Sequence, residues 1–179
     1  MTQLIEEIFD GKTIYKCPCC GEVYGDLPLC FGHDRPDYYW SVPEEERESR
    51  IELQDSLCII DDHYFHRGEL IIPIIDYDDD LVFHIWTTIS EENFKKRIEL
   101  WRKAKRIKES PYFGWLQSHV PTYGNTLHIK TRAWEQKVGY IPLIEVGEEN
   151  HPLTIDQSNG ITFEKAKVKV AMILQQRHK

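Results

Sequence analysis

The alternation of side chains between residues 81 and 89 restricts the fold of this chain more than any other feature. Two groups of side chains alternate along this segment. One group is Leu81, Phe83, Ile85, Thr87 and Ile89, and the other is Val82, His84, Trp86 and Thr88. A period of two is that of a β-strand with two different faces. We therefore expect a β-sheet whose two faces pack in different environments.

Further segments have the composition of strands and are separated by short turns. They are residues 57–60, 64–75, 126–134, 138–146 and 152–157. Pro73 indicates an edge or a bulge, since proline cannot donate a ladder hydrogen bond. Short turns join neighbouring antiparallel strands, so the pattern predicts a mostly antiparallel sheet of five to six strands.

Three helices are predicted beside this sheet. Ser41 and Glu44 form a capping box that opens a polar helix to about Leu53, and Ser90 caps an amphipathic helix that ends before Pro111. A final helix is predicted over residues 162–176. The fold class is α+β, a single domain over residues 1–179, with helices packed on one side of the sheet. Residues 1–40 form a cysteine knuckle and loop, and residues 41–179 form the α+β core.

The knuckle is the segment Cys17-Pro18-Cys19-Cys20-Gly21. Cys17 and Cys20 have the spacing at which two thiolates converge on one metal ion, with Cys19 expected to point away, and Gly21 permits the tight turn. Five cysteines clustered in the first third of the chain, without an export signal, argue against disulfides. Unliganded, partly buried thiols are the simpler alternative to a metal.

A tetrahedral zinc site needs two further ligands, and the sequence offers two completions. Cys30 and His33 would close a compact local finger. Alternatively, Cys58 on a sheet strand supplies a third thiolate, with His63 or His33 as the fourth ligand. The predicted metal ligands are Cys17, Cys20 and Cys58, and the predicted cofactor is a structural zinc ion.

Charge is distributed unevenly along the chain. Residues 1–92 carry 22 acidic and 6 basic side chains, whereas residues 93–179 carry 8 acidic and 16 basic ones. Either the two halves neutralise each other in the fold, or the acidic half attracts a basic protein partner. Two clusters resemble sites for hard metal ions but fit turns better: Asp61, Asp62, His63 and His66, and Asp76, Asp78, Asp79 and Asp80. The overall charge of −8 argues against a nucleic-acid partner for the basic residues 95–108.

Several classes of protein are disfavoured by what the sequence contains. The longest apolar run, from Leu70 to Ile75, has six residues, which predicts no membrane span. Glu6, Glu7 and Asp10 occupy the place where a signal peptide would be basic and apolar, so a cytoplasmic location is expected. No phosphate-binding glycine loop, nucleophile elbow or His-Glu-x-x-His motif is visible.

The motifs together resemble a bacterial family, domain of unknown function 2199. The stretches that carry the resemblance are Cys17-x-x-Cys20-Gly21, Leu27-Pro28, Pro43 to Arg47, Leu57 to Asp61, Phe65-x-Arg67-Gly68, Ile72-Pro73, Ile85-Trp86, Ile89-Ser90, Phe113 to Leu116, Pro121-x-Tyr123, Thr126 to Thr131, Pro142, His151-Pro152-Leu153, Gln157 and Gly160-Ile161. The family pattern includes Cys17, Cys20 and Cys58 but not Cys30 or His33. It often has a histidine where this chain has Tyr24.

The resemblance implies no activity, so the expected function is argued from the residues. Modest size, no catalytic motif and a strongly acidic half favour a non-enzymatic cytosolic binding protein, an immunity-type inhibitor of a basic toxin. The alternatives are a metal-dependent enzyme that uses the region of Cys17, Cys20 and Cys58, and an adaptor stapled by zinc.

Overall fold

A computed structural model describes residues 3–177 of the chain. The strands form two sheets, of three and eight strands. The small sheet contains β1 (Ile5–Phe9), β2 (Lys12–Lys16) and β3 (Val23–Tyr24). The strands of the large sheet are β4 (Cys30–Gly32), β5 (Ile51–Leu53), β6 (Leu57–Ile60), β7 (His63–Ile72), β8 (Leu81–Ile89), β9 (Tyr112–Trp115), β10 (Lys130–Trp134) and β11 (Leu143–Val146).

The large sheet is built around the long hairpin of β7 and β8, whose register runs from Tyr64 opposite Ile89 to Ile72 opposite Leu81. The main strand order is β4-β8-β7-β11-β10-β9, with β6 on β7 and β5 on β6. Only the β4–β8 and β11–β7 pairings are parallel. The predicted α+β class is therefore confirmed, but the number of strands is larger than the five to six expected.

The last strand of this order, β9, lies next to β8 as well as next to β10. Strand β9 continues into a bridge between Thr87 and Leu116, and the amide of Gln117 donates to the carbonyl of Trp86 at 2.7 Å. Gly114 makes this approach feasible, since a Cβ at that position would lie 2.0 Å from the Thr88 carbonyl oxygen. Strands β7 to β11 therefore curl into a ring.

Four α-helices accompany the sheets: α1 (Arg47–Arg50), α2 (Glu91–Leu100), α3 (Pro152–Asn159) and α4 (Phe163–Arg177). The predicted cap of α2 is present, because the Ser90 hydroxyl accepts a hydrogen bond from the Asn93 amide at 3.3 Å. Helix α4 begins where Thr162 accepts from the Lys165 amide at 3.2 Å. No helix within residues 3–177 has the length and apolar character needed to cross a bilayer.

Three predicted elements differ from the structure. Residues 152–157 belong to helix α3 instead of a strand, because Pro152 stands in its first turn and the His151 ring accepts from the Leu153 amide at 3.1 Å. The polar helix expected from the Ser41 cap to about Leu53 is a 3₁₀ turn followed by the short α1, and the next residue, Ile51, begins β5 and pairs with Ile60. The helix expected from Ser90 to Pro111 ends at Leu100, and a 3₁₀ helix over Ala104–Lys108 follows it.

The two faces of the β7–β8 hairpin pack against different layers. The main core lies on the face of Leu70, Phe83 and Ile85, and it includes Phe94 of α2 and residues of α3 and α4. A second, smaller core contains Cys58, Phe65 and Trp86 under Val42, on the opposite face. The α-helices thus contribute to the main core, and the segment around Val42 covers the other face.

An ion triad joins α2 to the end of β10. Arg97 and Arg106 both donate to Glu135, with Nε···O distances of 3.0 and 2.9 Å, and all three side chains are at most 1% exposed. The Trp101 ring lies over both guanidinium groups, about 5.6 Å from that of Arg97. Trp86 is fully buried, whereas Trp101 and Trp115 are about 40% exposed.

Candidate metal centre

The cysteine knuckle closes the hairpin between β2 and β3. Tyr15 pairs with Tyr24 and Lys16 with Val23, and the Cys17 amide then donates to the Glu22 carbonyl at 2.8 Å. The Gly21 amide turns back to the Cys17 carbonyl at 2.8 Å, with Gly21 at a φ of +76°, which glycine adopts without strain. This turn folds residues 17–21 into a loop around their own sulfur atoms.

Three thiols meet in this loop. The sulfur atoms of Cys17, Cys19 and Cys20 all lie within 4.8 Å of one another, and those of Cys17 and Cys19 are 2.7 Å apart. Cys17 is buried, while Cys19 and Cys20 are exposed. The expectation that Cys19 points away was wrong, because the turn directs its sulfur to Cys17. The group could hold a metal ion.

The surroundings of Cys17 favour its thiolate. Burial alone would raise the pKa of Cys17, but hydrogen bonds from the side chains and backbone of Cys19 and Cys20 outweigh it and lower the pKa. The shared hydrogen bond with Cys17 raises the pKa of Cys19 to about 11. Cys17 therefore ionises before Cys19, and thiolate is the form that binds metal. A cation would then favour ionisation of the other two thiols.

The remaining predicted ligands lie elsewhere. Cys58 is on β6 opposite Phe65, fully buried in the smaller core, and desolvation raises its pKa to about 12. Cys30 is exposed on β4, opposite Val82. His63 contacts Asp62, with Nδ1 3.0 Å from Oδ1. Within the described residues, the structure brings Cys17 and Cys20 together with Cys19 and not with Cys58, Cys30 or His33.

The acidic clusters occupy two separate places. Asp61 and Asp62 precede β7, and Arg50 joins Asp61 to Glu46 through contacts of 2.6 and 2.5 Å. Residues 76–80 follow the other end of β7, which at ten residues is roughly 30 Å long. Neither cluster forms a metal-binding group in the part of the chain that the structure describes.

The acidic turn after β7 has a structural role. The Asp76 carboxylate accepts from the Phe163 amide at 2.6 Å and so caps α4, while the Asp80 carboxylate accepts from the Ile74 amide at 3.3 Å. Asp78 and Asp79 are exposed and make no such bond within residues 3–177. The prediction that this segment is a turn is thus explained by two backbone bonds, and the acidic residues of the first half do not form one surface.

These features define an α+β protein with a thiol-rich knuckle at its N-terminal sheet. Residues 16–161 match a family of uncharacterized proteins conserved in bacteria, DUF2199. The chain belongs to this family. The match includes the whole knuckle and the large sheet. No curated protein and no solved structure matches the chain.

Proposed function

We propose that this is a binding protein that docks a basic protein partner at the start of β7, as an immunity-type inhibitor of a toxin would, while a zinc ion staples its small sheet. The observation that carries the proposal is a group of exposed acidic side chains close in the chain to an exposed tryptophan. This group, the acidic surface, consists of Glu44, Glu45, Glu48 and Asp62, and the tryptophan is Trp40. Its charge suits a partner whose own site attracts phosphates, such as a nuclease.

The acidic surface is held in place by local contacts. Arg50 bridges the segment of Glu46 to the turn at Asp61, and the Tyr38 ring packs 5.2 Å from that of His63. These contacts bring Asp62 next to the 3₁₀ turn. Glu44, Glu45 and Glu48 form no ion pair within residues 3–177, so their charges are available to a partner.

Trp40 has the properties of an interface anchor. It is 60% exposed, and the guanidinium groups of Arg35 and Arg47 lie over its ring at 5.5 and 5.2 Å. Arg47 is itself fixed by a hydrogen bond of 3.0 Å to the Val42 carbonyl. A large ring held in one orientation at the surface loses little entropy on binding, and tryptophan is enriched among the residues that dominate binding energy.

The basic half leaves this surface free. Basic side chains of α2 and the following turn pair with acidic residues nearby, as Lys95 does with Glu91 and Lys103 with Glu99. Lys167 reaches the first half, but its partner there is Glu6 on β1. Within the described residues, the ion pairs between the two halves of the chain therefore lie away from the acidic surface.

Charge reversal should identify the docking site. We expect the variant Glu44→Lys, Glu45→Lys, Glu48→Lys to lose a basic partner that the unchanged protein captures from the native bacterium. With the purified partner, the on-rate should fall at least about tenfold, because steering by opposite charges accelerates association. Stopped-flow association measured from low to physiological salt gives both the on-rate and its decline with ionic strength.

The matched control is the variant Asp78→Lys, Asp79→Lys at the other end of β7. It changes exposed carboxylates that hold no backbone bond, and it should bind as the unchanged protein does. Circular dichroism must show both variants folded. If both variants lose binding of the partner equally, overall charge and not this surface drives binding. If neither the unchanged protein nor a variant captures a basic protein, the inhibitor proposal is rejected.

Zinc is the metal that three clustered thiolates suit best, since thiolate ligands at a tetrahedral site favour zinc. Protein made in zinc-replete medium should contain about one equivalent, and Cys17→Ser, Cys19→Ser and Cys20→Ser should each reduce it severely. Cys58→Ser and Cys30→Ser are the controls and should retain the metal. Elemental analysis decides the matter. If Cys19→Ser keeps the metal and Cys58→Ser loses it, the ligands are instead Cys17, Cys20 and Cys58, as the sequence predicts.

A metal-dependent enzyme is the second candidate, for one reason. Three thiolates occupy three positions around a tetrahedral ion, and catalytic zinc sites keep a fourth position for water or substrate. The exposure of Cys19 and Cys20 would make that position accessible. In this case the purified protein turns over a small molecule, Cys17→Ser abolishes turnover, and the Glu44, Glu45 and Glu48 reversals leave it unchanged.

A further inference from the structure

Several fully buried polar atoms on the sheet face next to α2 make no hydrogen bond to the described part of the protein. They are both ring nitrogens of His66, the Thr87 hydroxyl, the Nη1 and Nη2 groups of Arg97 and the Tyr112 hydroxyl. Each of these side chains is at most 2% exposed. Because an unsatisfied buried polar group is costly, and a buried charge more so, such a concentration points to a ligand.

The four side chains belong to one place. His66 on β7 lies directly opposite Thr87 on β8, and the Tyr112 ring on β9 stands 6.2 Å from the His66 ring. Arg97 enters from α2, close enough that its charge adds to desolvation in lowering the pKa of His66 and acts against desolvation at Tyr112. The returning strand β9 and helix α2 thus place Tyr112 and Arg97 beside His66.

The chemistry of this group selects an anion. Desolvation keeps His66 neutral, with its pKa well below the usual value, and raises the pKa of Tyr112 to about 12, so that its hydroxyl stays protonated. Arg97 offers two amino groups, and Tyr112, Thr87 and the neutral imidazole offer one donor each. Within residues 3–177, Glu135 is the one acidic residue that forms ion pairs with Arg97 and Arg106, which leaves one buried positive charge. A single negative charge would balance it.

A groove lies beside this group. Its volume is about 570 Å³, within the range of small-molecule sites, and its apolar lining comes from Leu57, Ile98 and Trp101. Leu57 is the cross-strand neighbour of His66, and the Trp101 ring covers the Arg97 guanidinium. The buried donors do not line the groove, but two of its walls, Leu57 and Trp101, are direct neighbours of His66 and Arg97.

We propose that this is a binding site for a small monocarboxylic acid with an apolar body. The carboxylate is held by the two Nη groups of Arg97, with Tyr112, His66 and Thr87 donating to it, and the apolar body rests against Leu57, Ile98 and Trp101. A guanidinium matches a carboxylate in a planar, bidentate fashion, which a point charge does not. This site is separate from the acidic surface, and neither depends on the other.

Isothermal titration calorimetry with benzoate tests the site, with benzamide as the uncharged control of the same shape and inorganic phosphate as the other oxyanion. Benzoate should bind with one-to-one stoichiometry, and benzamide and phosphate should bind far more weakly. Equal binding of benzoate and benzamide, no saturable heat with benzoate, or tighter binding of phosphate would each overturn the proposal.

Two variants test the residues. Arg97→Lys keeps the charge but loses the fork, and Tyr112→Phe removes one hydroxyl, so each should weaken benzoate at least about tenfold. Arg132→Lys is the matched control, because Arg132 is exposed on β10 and does not line the groove, and this variant should bind benzoate unchanged. If Arg97→Lys does not fold, Tyr112→Phe decides. Unchanged binding in a folded Tyr112→Phe, or loss of binding in Arg132→Lys, contradicts the assignment.

Discussion

Replacing Glu135 with glutamine is expected to lower the free energy of unfolding by about 3–5 kcal/mol. The side chain is about 1% exposed and is the acceptor for both Arg97 and Arg106. Glutamine keeps the shape but removes the negative charge, so two guanidinium groups would stay buried without a counter-ion. Removing one partner of a buried ion network costs far more than the pair contributes on the surface. Urea denaturation followed by circular dichroism measures the change.

The control for Glu135→Gln is Glu99→Gln on α2, the helix that carries Arg97. Glu99 also accepts from a basic residue, Lys103, at 3.0 Å, but its side chain is 69% exposed. Its loss should change the free energy of unfolding by less than about 1 kcal/mol. A Glu135→Gln variant as stable as Glu99→Gln would show that solvent reaches the triad and that its arginines are not buried charges.

Replacing Gly114 with alanine is expected to cost about 3 kcal/mol and to loosen the junction of β9 with β8. An added Cβ would meet the Thr88 carbonyl oxygen at 2.0 Å, and this atom belongs to the backbone and cannot rotate away. The strands must separate, which weakens the bond of 2.9 Å from the Trp115 amide to the Thr88 hydroxyl. Thermal unfolding gives the stability, and amide hydrogen exchange at Trp115 and Gln117 shows whether the junction opens.

Gly25→Ala is the comparison for this substitution. Gly25 is exposed, has an ordinary φ, and a Cβ there would meet nothing within 4 Å. Alanine at such a position should be neutral or stabilising by up to about 1 kcal/mol, because it restricts the unfolded chain. Similar stabilities for Gly114→Ala and Gly25→Ala would mean that the ring of strands does not need the close approach.

Local patterns in the sequence were sufficient to predict the elements at the centre of the fold. The alternation along β8 and the apolar run of β6 predicted strands at those positions, and Ser90 marked the start of α2. These features depend on residues a few positions apart. By contrast, residues 152–157 mix apolar and polar side chains in a segment short enough to suit either a strand or a helix. Pro152 and the ring of His151 favour the helix.

The candidate sites depend on neighbours that are distant in sequence. Three cysteines within four positions were the available signal for the thiol group, but the direction of Cys19 follows from the turn at Gly21. His66 looked like part of an acidic turn, and only the strand pairing places it against Thr87 and Tyr112. No local pattern relates Arg97 to Glu135, 38 positions later.

The ring of strands also determines which strand edges are free to pair with another copy of the protein. Strands β7 to β11 have their neighbours within the ring, and the outer strands β4 and β5 have three residues each, too few to template another chain. Among the described strands, β1 is the outer strand with five residues, and Ile5, Ile8 and Phe9 on it are exposed. Glu6 and Glu7 interrupt this apolar series and act as gatekeepers. Replacing both with uncharged residues would leave β1 as the edge on which chains add to one another and aggregate.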